Sequence, residues 1–421
     1  MNFNLKLLLI PIVLFIIGAN YAWLNPYPEN KVYKTTDIPF FWQFNPDAGV
    51  EIVSGAYFPE AYKMYKDRIN RPTYPILVNF LGKVTKFVLK PFKNLSQLES
   101  AGAGYILLKI LIFLLGAIIC FNVLNNFLNE RLSLFGCFLI FFTSFSIDSF
   151  ATFHTYELQF ISPIIFIFLL LKLKSSYSIY KNILFSIIVG ILLLGRENYA
   201  IYLSILIYCG LNRQYLKVLI SFISHLIPIG IYLIYLKVIN IEYYNHEVSG
   251  YNQGNFLINL IVEGNYKEFF LIIINSIYYF FKSIIIFFNV FLLLIIYNFK
   301  KLKKHRNLLT FLIISCSITY LQFLAVKNFT YSYLISDLTI FVVVLSFMEL
   351  KKISQKKVVL ITGLYLIISI IALTNFPLKS PYNFEFRNQK VLNQRKDMIN
   401  NFDKYSEEDR KKAKNGNLIE K

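Results

Sequence analysis

The sequence predicts an all-α fold, a polytopic bundle of about 11 transmembrane helices with a long helical loop after the first helix. Hydrophobic residues make up 56% of the 421 residues, and charged residues make up only 16%, against about 25% in a typical soluble domain. Apolar runs of about 17–22 residues recur along the chain, and a helix of that length crosses the hydrocarbon core of a bilayer. These observations exclude a disordered chain and an ordinary water-soluble enzyme.

The apolar runs define the predicted spans, several of which are short for a full bilayer crossing. They are Leu5–Leu24, Gly104–Val123, Leu132–Ile147, Phe160–Leu173, Ile183–Gly195, Ala200–Leu211, Val218–Lys237, Ser283–Asn298, Leu308–Ala325, Leu334–Met348 and Val358–Thr374. The first run is interpreted as a retained span and not as a cleaved signal peptide, because Ala19-Asn20-Tyr21 is a poor small-residue cleavage site.

The distribution of basic residues predicts the orientation of the chain. The 43 Lys and Arg exceed the 24 Asp and Glu and give a net charge of +19, but they lie in short clusters between apolar runs, which does not favour nucleic-acid binding. With a cytoplasmic N-terminus, the clusters Lys300–Arg306 and Lys351–Lys357 lie on the cytoplasmic side, and the opposite short loops contain only Arg196 and Lys327. This asymmetry follows the positive-inside rule.

The same layout predicts one membrane domain over residues 1–375 and a polar tail over residues 376–421. Loops 25–103 and 241–282 lie outside in this layout, and the side of the tail stays open. The stretch Glu268–Phe281 is predicted to be a helix lying in the membrane interface. The four cysteines lie far apart inside apolar runs and indicate neither a disulfide framework nor a zinc site.

Ionisable residues in the first outer loop are the first candidates for chemistry, since charges are costly at membrane depth. Asp47 follows Asn45-Pro46, so it is either a helix cap or an outward-facing base. Arg71 precedes Pro72, and a helix with a basic face is predicted from Tyr74 to Val88.

A second candidate is the outer turn "SIDSFATFHTYELQF", which contains Asp148, His154 and Glu157. Such a group could bind a divalent cation or hydrogen-bond a polyol, and the simpler interpretation is an interfacial turn whose polar groups face water.

The third candidate is the break "LLLGRENYAIYL" between two short apolar runs. Helices that meet at a charged break usually line a cavity, because broken backbone in a membrane needs protein or water as its hydrogen-bond partner. Arg196 has the planar fork that suits a phosphate, and Glu197 follows it directly. The alternative is an Arg196–Glu197 pair that snorkels to the membrane surface.

The chain resembles the GT-C class of integral-membrane glycosyltransferases, which use polyprenyl-phosphate-linked sugars. The resemblance covers about the first half of the chain and depends on loose motifs and their arrangement. Its elements are a first span, an outer loop with the acidic Asp47, the segment Arg71-Pro72-Thr73-Tyr74-Pro75 opening an interfacial helix, an acidic turn with Asp148 and Glu157, and the break at Arg196-Glu197.

The resemblance implies an inverting sugar transfer on the outer side of a bacterial plasma (inner) membrane. Asp47 would be the catalytic base that activates the acceptor hydroxyl, and Arg71 and Arg196 would bind the phosphate of the lipid donor. His154, Glu157 and Glu197 would line the sugar or acceptor pocket; the acceptor would be a glycolipid, a polysaccharide or a protein. The chain has no adjacent acidic pair in the first loop and no Asp-x-Asp after the third span, so neither a metal nor another cofactor is expected.

Three alternatives remain open. An O-antigen-type polymerase or ligase would carry an arginine-rich late loop, but residues 241–282 contain no arginine. A secondary transporter or lipid flippase would place ionisable residues deep within spans, whereas Lys109, Lys237 and Lys282 lie near the predicted outer ends. A purely structural membrane subunit is the third alternative, since no motif proves turnover.

Overall fold

The computed structural model describes residues 4–24, 46–64, 68–143, 146, 149–150, 156–175, 178–245, 254–325, 332–348 and 354–375. Every regular element in these ranges is a helix, which confirms the predicted all-α class. Asp148, His154, Lys327 and the tail lie outside the described residues.

The α-helices follow one another with short connections. In the first half of the chain they are α1 (Leu9–Leu24), α2 (Pro46–Ala56), α3 (Ala61–Met64), α4 (Thr73–Leu89), α5 (Gln97–Leu124), α6 (Glu130–Phe141), α7 (Tyr156–Ser175), α8 (Ile179–Leu193) and α9 (Ala200–Leu211). In the second half they are α10 (Tyr215–Val238), α11 (Asn255–Val262), α12 (Tyr266–Leu302), α13 (Arg306–Ala325), α14 (Thr339–Met348) and α15 (Gln355–Asn375). Short 3-10 helices over Leu5–Leu8, Lys303–His305 and Ser332–Leu338 precede α1, α13 and α14.

Three helical stretches among the described residues are long and apolar enough to cross a membrane: Gln97–Leu124, Tyr215–Val238 and Tyr266–Ala325. Shorter apolar helices cover Leu5–Ile16, Ile179–Leu193, Ala200–Leu211 and Ile335–Met348. Large apolar side chains lie on the outside of these elements; on α10, for example, Leu216, Ile231 and Ile234 are all more than half exposed. Such an apolar exterior suits lipid contact. The count of about 11 spans stays a prediction.

The predicted long loop after the first helix contains helices that pack on α5. Helix α4 agrees with the predicted Tyr74–Val88 to within a residue at each end and buries Tyr74, Val78 and Gly82 against α5, which it meets at very close range. A Cβ on Gly104 would lie 2.4 Å from the backbone nitrogen of Gly82, so no larger residue fits there without a shift of one helix. The opposite face of α4 exposes Phe80 and Phe87.

Helix α5 begins earlier than the sequence analysis places the second span. Ser96 caps it: its hydroxyl accepts from the Glu99 amide (3.1 Å), and the Glu99 carboxylate accepts from the Ser96 amide (2.8 Å). The helix therefore starts at Gln97 and not near Gly104, because the polar capping box satisfies its first amides before the apolar run begins. As a result, Lys109 lies near the middle of α5 and not close to its outer end.

The predicted interfacial helix over Glu268–Phe281 is wrong as a separate element. Helix α12 runs without interruption through Lys282, and its break lies at Asn289, which adopts a positive φ of 21°. After the Lys303–His305 turn, α13 returns along α12, with Phe280 packed on Phe323. The two helices form a hairpin whose basic turn lies at one end.

Candidate functional site

Polar and charged side chains converge where the segment leading into α4 meets the turn between α8 and α9. Arg71 is 4% exposed, and its Nε donates to Glu197 Oε2 at 2.7 Å. The Asn70 amide donates to the other carboxylate oxygen of Glu197. Thr73 Oγ1 donates to the Ile191 carbonyl at 2.8 Å, so the segment is joined to the end of α8 as well.

The turn that carries Arg196 and Glu197 is compact. The Arg196 amide donates to Leu192 O (3.0 Å), and the Asn198 amide donates to Arg196 O (2.7 Å). A Cβ on Gly195 would lie 2.2 Å from Leu158 Cδ1, so the turn packs directly on α7. Arg196 is 8% exposed, which places a buried arginine one residue from the carboxylate that binds Arg71. The predicted charged break between two short helices is confirmed.

Glu157, in the first turn of α7, lies in a second buried charge cluster. Its carboxylate receives Lys109 Nζ at 2.5 Å on one oxygen and the Tyr74 hydroxyl at 2.8 Å on the other. Lys109 also donates to the Ser149 carbonyl at 2.7 Å, and neither charged side chain is exposed. Both oxygens of Glu157 are thus occupied, which favours a role in holding the start of α4 over direct contact with a sugar.

Burial of the Tyr74 hydroxyl, followed by the negative charge of Glu157, raises the pKa of Tyr74 well above its usual value near 10. Tyr74 therefore stays protonated and serves as the hydrogen-bond donor to that carboxylate.

A third charge pair joins α2 to the segment before Asn70. Arg68 Nε lies 2.8 Å from Glu51 Oε1, and both side chains are at least nine-tenths buried. Glu51 is one helical turn after Asp47, so the two residues share one face of α2. Because Pro46 begins α2, Asp47 is inside the first turn and not at the capping position, and the helix-cap interpretation is wrong in that detail. The Asp47 side chain lies outside the described part of the structure.

A polar contact that the sequence analysis missed links this region to the second half of the chain. Asp337, in the 3-10 helix before α14, is completely buried, and its Oδ1 accepts from Asn198 Nδ2 (2.9 Å) and Gln159 Nε2 (3.1 Å). Gln322 of α13 donates to the Glu197 carbonyl at 3.5 Å. The one available signal was a carboxylate inside the apolar run Leu334–Met348.

The structure therefore brings together part of the predicted site. Arg71 and Glu197 are in direct contact, Arg196 is adjacent in the chain, and Glu157 contacts Tyr74, three residues after Arg71. His154 lies outside the described residues. The partners that sequence reasoning did not find are Asn70, Arg68, Tyr74, Lys109, Gln159 and Asp337. Within the described ranges, no three His, Cys, Asp or Glu side chains are grouped as metal ligands would be.

No protein-family model matches the chain, and comparisons with curated proteins and with solved structures found no match.

Proposed function

We propose that the protein is a multi-pass membrane glycosyltransferase that moves a sugar from a polyprenyl-phosphate donor to an extracytoplasmic acceptor. In this proposal the chain lies in a bacterial plasma membrane, with the loop over residues 25–103 outside and the basic clusters inside. The observation that carries it is the pairing of Arg71 with Glu197 beside Arg196, at a helix break where the outer-loop helices reach the membrane domain.

Arg71 and Arg196 would bind the donor phosphate. Both guanidinium groups are more than nine-tenths buried, and a buried arginine binds phosphate oxygens more strongly than an exposed one, since water does not screen it. Glu197 and Asn70 orient Arg71 through hydrogen bonds, so its fork is held in place before a ligand arrives. The prenyl chain of the donor would lie against the apolar outer faces of the helices.

Asp47 would act as the general base. The acceptor hydroxyl transfers its proton to Asp47, and the acceptor oxygen forms a bond to the anomeric carbon of the sugar. The bond from that carbon to the phosphate oxygen breaks, and polyprenyl phosphate leaves with the electron pair. Attack from the face opposite the phosphate inverts the anomeric configuration. The two arginines stabilise the charge that develops on the leaving phosphate.

The test is sugar transfer in proteoliposomes with a panel of polyprenyl-phosphate sugars. Arg71→Lys and Arg196→Lys keep the charge and lose the fork, so each variant should transfer sugar about 10–100 times more slowly than the wild type. Arg213→Lys is the matched control, because Arg213 lies in the exposed turn between α9 and α10. Turnover of both site variants at the rate of this control would contradict the phosphate assignment.

One observation favours a second candidate, a secondary transporter. Lys109 and Glu157 form an ion pair with no exposed surface, and Asp337 is buried beside the apolar α14. Buried ionisable residues in membrane helices often mark ion or proton pathways. The same proteoliposomes distinguish the two: a transporter carries solute with no lipid donor present, and a glycosyltransferase releases polyprenyl phosphate with no ion gradient.

A further inference from the structure

Asp337 connects three segments that are distant in the sequence. Its Oδ1 accepts hydrogen bonds from the side-chain amides of Asn198 and Gln159, at 2.9 and 3.1 Å. The Asn198 amide also donates to the backbone carbonyl of Gln159 at 3.2 Å, so the three residues form a closed triangle. All three side chains are essentially without solvent exposure.

The two amides lead directly to the residues of the candidate site. Asn198 follows Arg196 and Glu197 in the turn between α8 and α9, and Gln159 lies in the first turn of α7 beside Glu157. A displacement of either amide would move the backbone that carries these charged residues. Asp337 is therefore placed to determine the position of both segments from the opposite half of the chain.

The carboxylate makes these contacts as a hydrogen-bond acceptor and without a charged partner among the described residues. Its second oxygen, Oδ2, and the Asn198 Oδ1 are both buried and have no hydrogen-bond partner in that part of the chain. A negative charge in such surroundings costs free energy, whereas an amide of the same shape would keep the accepting oxygen and replace the unpartnered oxygen by a donor.

We propose that Asp337 is a positioning residue: it holds the Arg196–Glu197 turn through Asn198 and the first turn of α7 through Gln159, by accepting hydrogen bonds and not by its charge. The catalytic readout of this proposal rests on the proposed glycosyltransferase function. The positioning itself is measured without any substrate.

The substrate-free test is hydrogen exchange measured by mass spectrometry on the purified protein. Asp337→Leu removes the acceptor and leaves two buried amides unpaired, so exchange in peptides covering residues 194–199 should rise by at least about tenfold. Asp337→Asn should exchange like the wild type in the same peptides. Peptides covering the Lys303–His305 turn should be unaffected in both variants. Equal protection of residues 194–199 in the wild type and in Asp337→Leu would overturn the proposal.

An exchange of partners tests the contact directly and does not depend on Asp337→Leu folding well. Asn198→Asp alone places two carboxylates against each other and should raise exchange at the turn. Adding Asp337→Asn restores one amide and one carboxylate with their roles reversed, so the double variant should recover protection. Failure of the double variant to recover would contradict the direct contact.

Sugar transfer then separates positioning from catalysis. Asp337→Asn should keep kcat within about threefold of the wild type and leave KM unchanged, because the acceptor oxygen remains. A loss of tenfold or more in this variant would overturn the proposal by showing that the charge itself is used. If no donor is turned over by the wild type, the glycosyltransferase function fails, and the exchange measurements still decide the role of Asp337.

Discussion

The two halves of the described chain treat charge in opposite ways. Around the α8–α9 turn, ionisable side chains are buried and paired: Arg71 with Glu197, Lys109 with Glu157 and Arg68 with Glu51. In the hairpin of α12 and α13, basic residues gather at the exposed turn around Lys303–His305, and the contact between the two helices consists mostly of aromatic rings and a Ser276–Tyr320 hydrogen bond.

This difference indicates a division of labour. A charge taken out of water is stable only with a well-placed partner, so each buried pair restricts the geometry of the helices around it. A hairpin with exposed apolar faces and a basic end is restricted mainly by lipid and by the membrane surface. The first region is built to hold polar chemistry inside an apolar body, and the second has the features of a membrane scaffold.

The largest expected effect comes from breaking the buried pair of the first region. Lys109→Met leaves the Glu157 carboxylate buried without its cation, and we expect a loss of about 3–5 kcal/mol in the free energy of unfolding. Adding Glu157→Gln should recover much of this loss, because a neutral amide side chain still accepts from Tyr74. Denaturant unfolding in detergent measures both variants.

The matched control is Lys93→Met, which removes the partner of Glu99 in a pair of similar length (2.9 Å) at the surface. An exposed pair contributes about 0–1 kcal/mol. If Lys109→Met is no more destabilising than Lys93→Met, the buried pair does not stabilise this region and the contrast between the two halves is lost.

The next effect concerns catalysis at α2. Asp47→Asn removes a proton acceptor without changing the size of the side chain, and its place inside the first turn of α2 tolerates either residue. Transfer should fall by at least about 100-fold, while binding of the lipid donor stays close to that of the wild type. Near-normal transfer would move the catalytic assignment to Glu157 or Glu51.

The smallest effect distinguishes tight packing from open packing. Gly104→Ala forces a methyl group to 2.4 Å from the Gly82 backbone nitrogen, so α4 or α5 must shift, at a cost of about 1–3 kcal/mol. Gly230→Ala in α10 meets nothing within 4 Å and should stabilise the helix by about 0.5–1 kcal/mol. Thermal unfolding compares the two variants. Equal shifts would mean that the close contact of α4 with α5 does not restrict the fold.

Local features explain the elements that could be predicted. Helix α4 is predicted within one residue at each end, because Pro72 precedes it and its apolar and basic residues alternate with a helical period. The break between α8 and α9 is predicted because Gly195-Arg196-Glu197-Asn198 interrupts two apolar runs. The start of α5 and the break in α12 are misplaced because a capping box and a single asparagine outweigh the hydropathy of their neighbours.

The amino-acid sequence alone determined that the protein is helical, that its long helices are apolar, and which few residues could perform chemistry. Only the tertiary structure decided which of these residues pair. Arg71 contacts Glu197 across 126 positions, and Gln159 contacts Asp337 across 178. Helix formation depends on neighbours within a turn or two, whereas the partner of a buried charge is selected by the packing of whole helices and leaves no local pattern in the sequence.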